Sequence, residues 1–233
     1  MTSAAKTKPA LSVVVPVLNE AAGLASKIES LGAHCQSSIH HIDVLFVDGG
    51  SHDNSVAIIT GHGYSCINSD KGRAKQMNAG AAQANADYLL FLHADSEVPN
   101  GGLDEVINTL HDHQWGRFDI RVSGKAKMFA VISFFINWRS RLTGIATGDQ
   151  GIFVRKSLFN KIGGFADQPL MEDIDLSTKL GKVSAPRCLR SKIITSGRRW
   201  QQRGIWKTIF LMWRLRFMYW FGVSPLRLAK YYE

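Results

Sequence analysis

The chain of 233 residues lacks any apolar run long enough to cross a bilayer. A spanning helix needs about 20 consecutive apolar residues. The longest apolar stretches, Met128–Trp138 and Ile209–Met212, stop well short of that. Cysteine is scarce, and Cys35, Cys66 and Cys188 are scattered without metal-ligand spacing. That excludes a disulfide framework and points to a reducing, cytoplasmic setting. The opening MTSAAKTKPA, residues 1–10, has no apolar core of the signal-peptide kind and reads as a loose tail. Internal repeats, low-complexity tracts and an interdomain linker are absent. So are the P-loop pattern, the dinucleotide fingerprint and any recognised DNA or RNA module. Nucleic acid is therefore not an expected partner.

Negative charge is missing from the C-terminal quarter. From Leu176 to Tyr232 there are thirteen lysines and arginines and no aspartate or glutamate, within a chain of net charge +9. Such asymmetry implies an anionic partner, and a diphosphate or a membrane surface fits best.

What the sequence does contain is a regular alternation. Apolar runs at 11–18, 42–48, 64–68 and 87–93 read as strands. Segments 20–32, 53–60, 73–86 and 103–111 read as helices. Nearly continuous apolar strands alternating with helices predict an α/β fold with a mostly parallel sheet covered on both faces. The second half is less regular. Strands are expected at 116–124 and 148–154, and helices at 127–142, 157–162, 172–180 and 205–221. In open parallel sheets, ligands bind beyond the carboxyl ends of the strands. Asn19-Glu20, Asp48-Gly49-Gly50-Ser51 and His93-Ala94-Asp95 all end strands, so all three should share one edge.

Each local motif has two readings. In VDGGSHDNS (47–55), Asp48 either accepts hydrogen bonds from a ligand or belongs to a capped strand–helix turn. In KGRAKQMNAGA (71–81), Lys71 and Arg73 flank a helix start suited to phosphate, or else occupy a solvated face. Asp95 ligates Mg²⁺ or Mn²⁺, with His93 as a second ligand, or caps a turn. In MEDIDLS (171–177), clustered carboxylates either poise a base or favour a helix N-terminus. Arg198, Arg199 and Arg203 around Trp200 either grip phosphate or form a basic loop. The aromatic segment after Ile205 either meets a membrane surface or packs on the core.

The order of these motifs resembles family 2 glycosyltransferases of GT-A fold. The series is PVLNEA (16–21), VDGGSHDNS, KGRAKQMNAGA, LHADSEVP (92–99), GGF (163–165) and MEDIDLS, and it covers about residues 11–204. The KGRA-Q-MN-GA and LHAD forms look most like the radical-SAM/selenodomain-associated transferase family 2 branch. The resemblance implies a GT-A-type, Rossmann-like domain over 11–204. Residues 11–100 would be its nucleotide-binding half and 101–204 its acceptor and catalytic half. A basic aromatic helix would follow at 205–233. Pro16 and Glu20 would line the nucleotide pocket, Asp48 would hold the base, and Lys71 and Arg73 would contact the nucleotide. Asp95 matches the last residue of an Asp-x-Asp metal motif whose first position is His93 here. Asp173 matches the Asp of the Glu-Asp pair, the general base of inverting members, with Glu172 and Trp200 in the acceptor region. Arg198, Arg199 and Arg203 would face the diphosphate. The implied reaction moves a sugar, with inversion, from a UDP-type donor to an acceptor hydroxyl with Mn²⁺ or Mg²⁺. The basic C-terminal segment adds a second expectation, peripheral attachment at the inner face of an anionic membrane to reach a lipid-linked or amphipathic acceptor. An inactive nucleotide-sugar binding protein and a nucleotidyltransferase on a similar sheet are the rival readings.

Overall fold

The computed structural model describes residues 8–124 and 126–232, apart from the side chains of Arg199 and Gln202. The first half alternates as expected. Strands β1 (Leu11–Val17), β2 (Ile42–Asp48), β3 (Cys66–Asn68) and β4 (Tyr88–Phe91) are joined by α1 (Ala21–Ser37), α2 (Ser55–Gly61) and α3 (Arg73–Gln83). Helix α4 (Gly102–Asp112) follows β4. The second half runs β5 (Trp115–Ser123), α5 (Met128–Thr143), a 3-10 turn (Gly148–Gln150), β6 (Ile152–Arg155), α6 (Lys156–Lys161), α7 (Glu172–Gly181), β7 (Arg187–Ser196), α8 (Arg198–Arg203), α9 (Ile205–Trp220) and α10 (Pro225–Tyr232).

The seven strands form one sheet in the order β3-β2-β1-β4-β6-β5-β7. Only β6 runs against the rest, pairing antiparallel with β4 and β5. The unbroken apolar strands follow from burial on both faces. Val13 and Val15 enter one core cluster with Leu24, Ile28 and Phe46. Val14, pointing the other way, enters a second with Ala74, Met77 and Phe91. The two expected halves, 11–100 and 101–204, thus share a single sheet, joined where β4 pairs with β6.

Three expectations change. The segment 148–154 is not all strand: Thr147 and Gln150 form a capping box over a 3-10 turn, and β6 begins only at Ile152. β7 was not expected. It pairs parallel with β5, with extra residues bulged out between Leu189 and Lys192. The single C-terminal helix is two helices, broken at Gly222, whose φ is +81°, and restarted by Pro225 at the first helical position.

The chain passes from β1 outward to β2 and β3, then returns to β4 on the other side of β1. The crevice beyond the β1 and β4 carboxyl ends is therefore the switch point of the sheet. Because β6 is reversed, its N-terminal end opens on that same crevice, with Ile152 opposite Phe91.

Candidate active site

Four acidic residues line this edge in sheet order: Asp48 from β2, Glu20 after β1, Asp95 after β4 and Asp149 before β6. The loops carrying the first two are tied together. The Asn19 N–H donates to Ser51 Oγ at 2.9 Å, and the His52 N–H donates to Asn19 Oδ1 at 2.8 Å. Asn19 reaches that position with φ of +54°, a left-handed conformation that Asn tolerates. The Glu20 N–H donates to Ser55 Oγ at 2.9 Å. Asp48 is buried, and its Oδ2 accepts from the backbone N–H of Gly50 at 2.9 Å and of Ser51 at 3.0 Å. Its carboxylate thus shapes the loop as well as facing the edge.

Helix α3 approaches the sheet unusually closely. A Cβ on Gly80 would lie 2.4 Å from Val14 Cγ1. Buried Gln76 donates to the carbonyls of Val17 and Val47, both at 2.8 Å, joining the ends of β1 and β2. Asn78 exchanges two hydrogen bonds with the Phe165 backbone, at 2.9 and 3.0 Å. Most of KGRAKQMNAGA is therefore scaffold. Its helix start is the end that faces the edge, where exposed Lys71 precedes Arg73.

Arg73 Nη1 stands 3.5 Å from Glu172 Oε1. Glu172 is 4% exposed. Burial pushes its carboxyl up to about 7, neighbouring Asp173 adds to the shift, and Arg73 opposes it. Arg198 Nη2 reaches Glu20 Oε2 at 3.7 Å. Burial raises the Glu20 carboxyl and the charge of Asp95 raises it further, while Arg198 and Arg73 pull it back. Glu20, Arg73, Asp95, Arg198 and Glu172 are thereby brought into one electrostatic group.

Asp173 is fixed from both sides. Its Oδ2 accepts the Gly148 N–H at 2.8 Å and its Oδ1 accepts the Ile174 N–H at 2.8 Å. Each carboxylate oxygen has a second lone pair that can accept a further hydrogen bond. Met171, with φ of +67°, turns the chain sharply into α7 just before this pair.

The remaining expected residues divide. Pro16 is half-buried near the end of β1. His93 packs beneath the 3-10 turn: a Cβ on Gly148 would lie 2.6 Å from its Nε2, and that nitrogen is buried. Arg203 turns away from the crevice. Its Nη1 donates to the Tyr232 carbonyl at 2.6 Å and its guanidinium lies 5.8 Å from the Tyr232 ring centre. Trp200 packs in a hydrophobic cluster with Phe129 and Ile132. The Arg199 side chain lies outside the described residues.

Two residues at this edge have no counterpart among the sequence-derived candidates. Asp149 has a buried, unpartnered Oδ1. Burial raises its carboxyl, a hydrogen bond from Thr147 opposes that, and Asp173 adds to the rise. Arg139, on α5, has buried and unpartnered Nε and Nη2 atoms. Burial lowers its guanidinium to about 10, nearby Arg216 adds to this, and Asp149 and Asp173 oppose it. Nothing local marked Arg139, since α5 also carries Arg141 and only the packed fold shows which of the two turns inward.

Among the described residues, no three His, Cys, Asp or Glu side chains form a ready metal cage. Mg²⁺ and Mn²⁺ with phosphate substrates need no such cage, since one or two carboxylates plus phosphate oxygens suffice. Asp95, close enough to Glu20 to shift it, fits that donor set.

The reversed strand beside a parallel sheet, with acids gathered at the switch point, defines a GT-A-type α/β fold. Solved structures agree. A mannosyltransferase from Pyrobaculum calidifontis, in complex with GDP-Man and Mn²⁺, superposes with a TM-score of 0.64 at 19% identity, over 91% of this chain and 61% of that one. TarS of Staphylococcus aureus, residues 1–349 in complex with UDP-GlcNAc, gives 0.59 at 18% identity, over 80% and 58%. This chain thus spans about 60% of those proteins. The family model for glycosyl transferase family 2 matches residues 12–163. An uncharacterized glycosyltransferase of Mycobacterium tuberculosis (strain CDC 1551) is 30% identical over 214 residues, 84% of this chain and 78% of the relative. The undecaprenyl-phosphate 4-deoxy-4-formamido-L-arabinose transferase of Yersinia enterocolitica is 27% identical over 62% of this chain and 47% of its own length. The chain belongs to glycosyl transferase family 2 and is a glycosyltransferase.

Proposed function

We propose that the enzyme moves a sugar, with inversion, from a nucleoside diphosphate sugar of the UDP type to an acceptor hydroxyl. The observation that carries this is the convergence of Glu20, Arg73, Asp95, Arg198, Glu172 and Asp173 on one sheet edge. Pro16 and Asp48 line the base end, and Lys71 and Arg73 meet the nucleotide at the α3 start. Asp95 would hold a divalent ion, Mn²⁺ or Mg²⁺, which when bound neutralises charge on the departing diphosphate. His93 supports the turn above it by packing on Gly148. Arg198 adds a fixed cation on the leaving-group side. Asp173, oriented by the Gly148 and Ile174 N–H groups, accepts the acceptor hydroxyl proton as that oxygen attacks the anomeric carbon. Glu172 and Arg73 hold the Asp173 turn in place.

The acceptor is lipid-linked or amphipathic, and the enzyme works as a cytoplasmic protein attached peripherally to an anionic membrane. The basic C-terminal segment supports this, as does a relative whose name specifies undecaprenyl phosphate. No helix among the described residues is long and apolar enough to cross a membrane. Within the family, the KGRA and LHAD forms favour the radical-SAM/selenodomain-associated branch.

A thermal-shift screen of nucleoside diphosphates, with and without Mn²⁺, tests the donor site, because a ligand stabilises the state it binds. Slow hydrolysis of a nucleotide-sugar panel tests turnover. Binding without hydrolysis or transfer would leave a nucleotide-sugar binding protein. Pyrophosphate release from a nucleoside triphosphate would instead make it a nucleotidyltransferase.

A further inference from the structure

The chemistry above leaves two aromatic helix faces unused. On α9, Trp206, Phe210, Trp213, Phe217 and Trp220 recur every three or four residues and so share one face. They are 61% to 82% exposed. On α5, Val131, Phe134, Phe135, Trp138 and Leu142 repeat the pattern at 46% to 66% exposure. The two helices are neighbours. Phe129, Ile132 and Ile136 of α5 share a hydrophobic cluster with Ile205 and Ile209 of α9. Those inner residues make the contact between the two helices, and the outer rows are left largely to solvent.

The inner side of α9 also rests on the catalytic turn. Leu215 of α9 and Leu228 of α10 are buried with Met171, and Leu170 and Ile174 pack around them. Met171 directly precedes Glu172 and Asp173. The choice between a membrane helix and a core helix is thus resolved by face: one side of α9 packs, and the other stays open.

We propose that the outer faces of α5 and α9 form one docking platform for an anionic lipid bilayer, holding the Glu172–Asp173 end of the sheet at the headgroup layer. The proposal rests on the glycosyl-transfer reading only for the use of that position. A lipid-linked acceptor keeps its tail in the bilayer while its polar end reaches Asp173.

Charge selects the occupant. Exposed Lys207 and Arg214 border the aromatic row by helical spacing, and neighbouring α10 adds exposed Arg227 and Lys230, in a segment without an acid from Leu176 to Tyr232. A second copy would bring like charge against like. Anionic headgroups complement it, and tryptophans flanked by arginine and lysine suit the interfacial layer. Long basic side chains can lie along the apolar rows while their charged ends stay in the headgroups.

The test is flotation of the full chain with phosphatidylcholine vesicles, with and without phosphatidylglycerol. Wild type should float only with the anionic vesicles. Two variants, F134S/F135S/W138S on α5 and W213S/F217S/W220S on α9, should each weaken binding by about tenfold or more, since either removes half the platform. These positions are exposed, and unchanged melting temperatures will confirm intact folds. Absence of flotation by wild type, wild-type flotation by the α5 variant, or a wild-type dimer that the variants abolish in sedimentation velocity would each overturn the platform. Nucleoside diphosphate binding, measured in parallel by calorimetry, separates the two ideas. Flotation without nucleotide binding sinks the donor reading alone, and nucleotide binding without flotation sinks the platform alone.

Discussion

Arg73, in the first turn of α3, meets Glu172, in the first turn of α7, at 3.5 Å. The pair joins a helix from the first half of the chain to the acidic turn of the second. Arg73 is the more exposed partner, at 45% of its side chain against 6% for Glu172. The buried member therefore bears most of the desolvation, and its carboxyl rises to about 7. Between about pH 4.5 and 7 the folded state keeps a proton that the unfolded chain has released, so this group's contribution to stability falls as pH rises through that window. Glu172→Gln removes the ionisation. Its melting temperature relative to wild type should rise from pH 4 to pH 8, by an amount on the order of 2 kcal/mol in stability. Thermal unfolding across that range checks it, and parallel pH curves for the two proteins would show that Glu172 is not perturbed.

Asp173→Asn should lower kcat by about 10²–10⁴-fold, the usual worth of general-base assistance. The amide can still accept one of the two backbone N–H groups that orient the side chain, so nucleotide affinity should change little. Steady-state kinetics beside calorimetry separates the two effects. Wild-type turnover in the variant would remove Asp173 from the chemistry.

Asp95→Ala should abolish the dependence of nucleoside diphosphate binding on Mn²⁺. Titrations with and without the ion are the measurement. If the variant keeps the wild-type dependence, the ligand lies elsewhere on the edge, and Asp149 becomes the next residue to change. His93→Gln, by contrast, should alter stability through the Gly148 contact and leave the metal dependence in place.

Much of this site was legible because strand ends announce themselves. Apolar runs that stop at Glu20, Asp48 and Asp95 place those residues on one edge without any knowledge of contacts. The scaffold role of Gln76 and Asn78 was not legible, because both bond to backbone far along the chain, in one case 87 residues away. β7 escaped for a different reason. Its inward residues Leu189, Ile193 and Thr195 do alternate with outward ones, but Arg190 and Lys192 made the segment look like a basic surface. Asp149 and Arg139 come together only because β6 is reversed and α5 and the 3-10 turn both pack on β5, and neither fact has a local signature.

The arginines around Trp200 give a comparison within one short helix. Arg198 approaches Glu20 at the crevice, whereas Arg203 is held by the Tyr232 carbonyl. Arg198→Ala should weaken nucleoside diphosphate binding, with a smaller effect on the free nucleoside, because it removes a charge from the phosphate end. Arg203→Ala should leave both affinities unchanged and loosen α10 instead. Binding isotherms, with proteolysis rates at the C-terminus, read the two outcomes. Equal losses in nucleotide affinity would return Arg203 to the site.

Gln76 carries the most specific structural prediction. Its Nε2 supplies both N–H groups to two main-chain carbonyls, Val17 and Val47, at the point where β1 and β2 release their loops. Gly49 lies against the same amide, where a Cβ would come within 2.8 Å of Gln76 Cδ. Gln76→Leu keeps the volume but strands two buried acceptors, each worth about 1–3 kcal/mol when left unpaired. Urea unfolding should therefore show a loss of roughly 2–4 kcal/mol, an estimate that allows for partial hydration of the carbonyls. The loops released there carry Glu20 and Asp48, so nucleotide affinity should fall in the same variant even though Gln76 faces the core. A destabilised variant with undiminished nucleotide affinity would mean that the two loops hold their shape without this bridge.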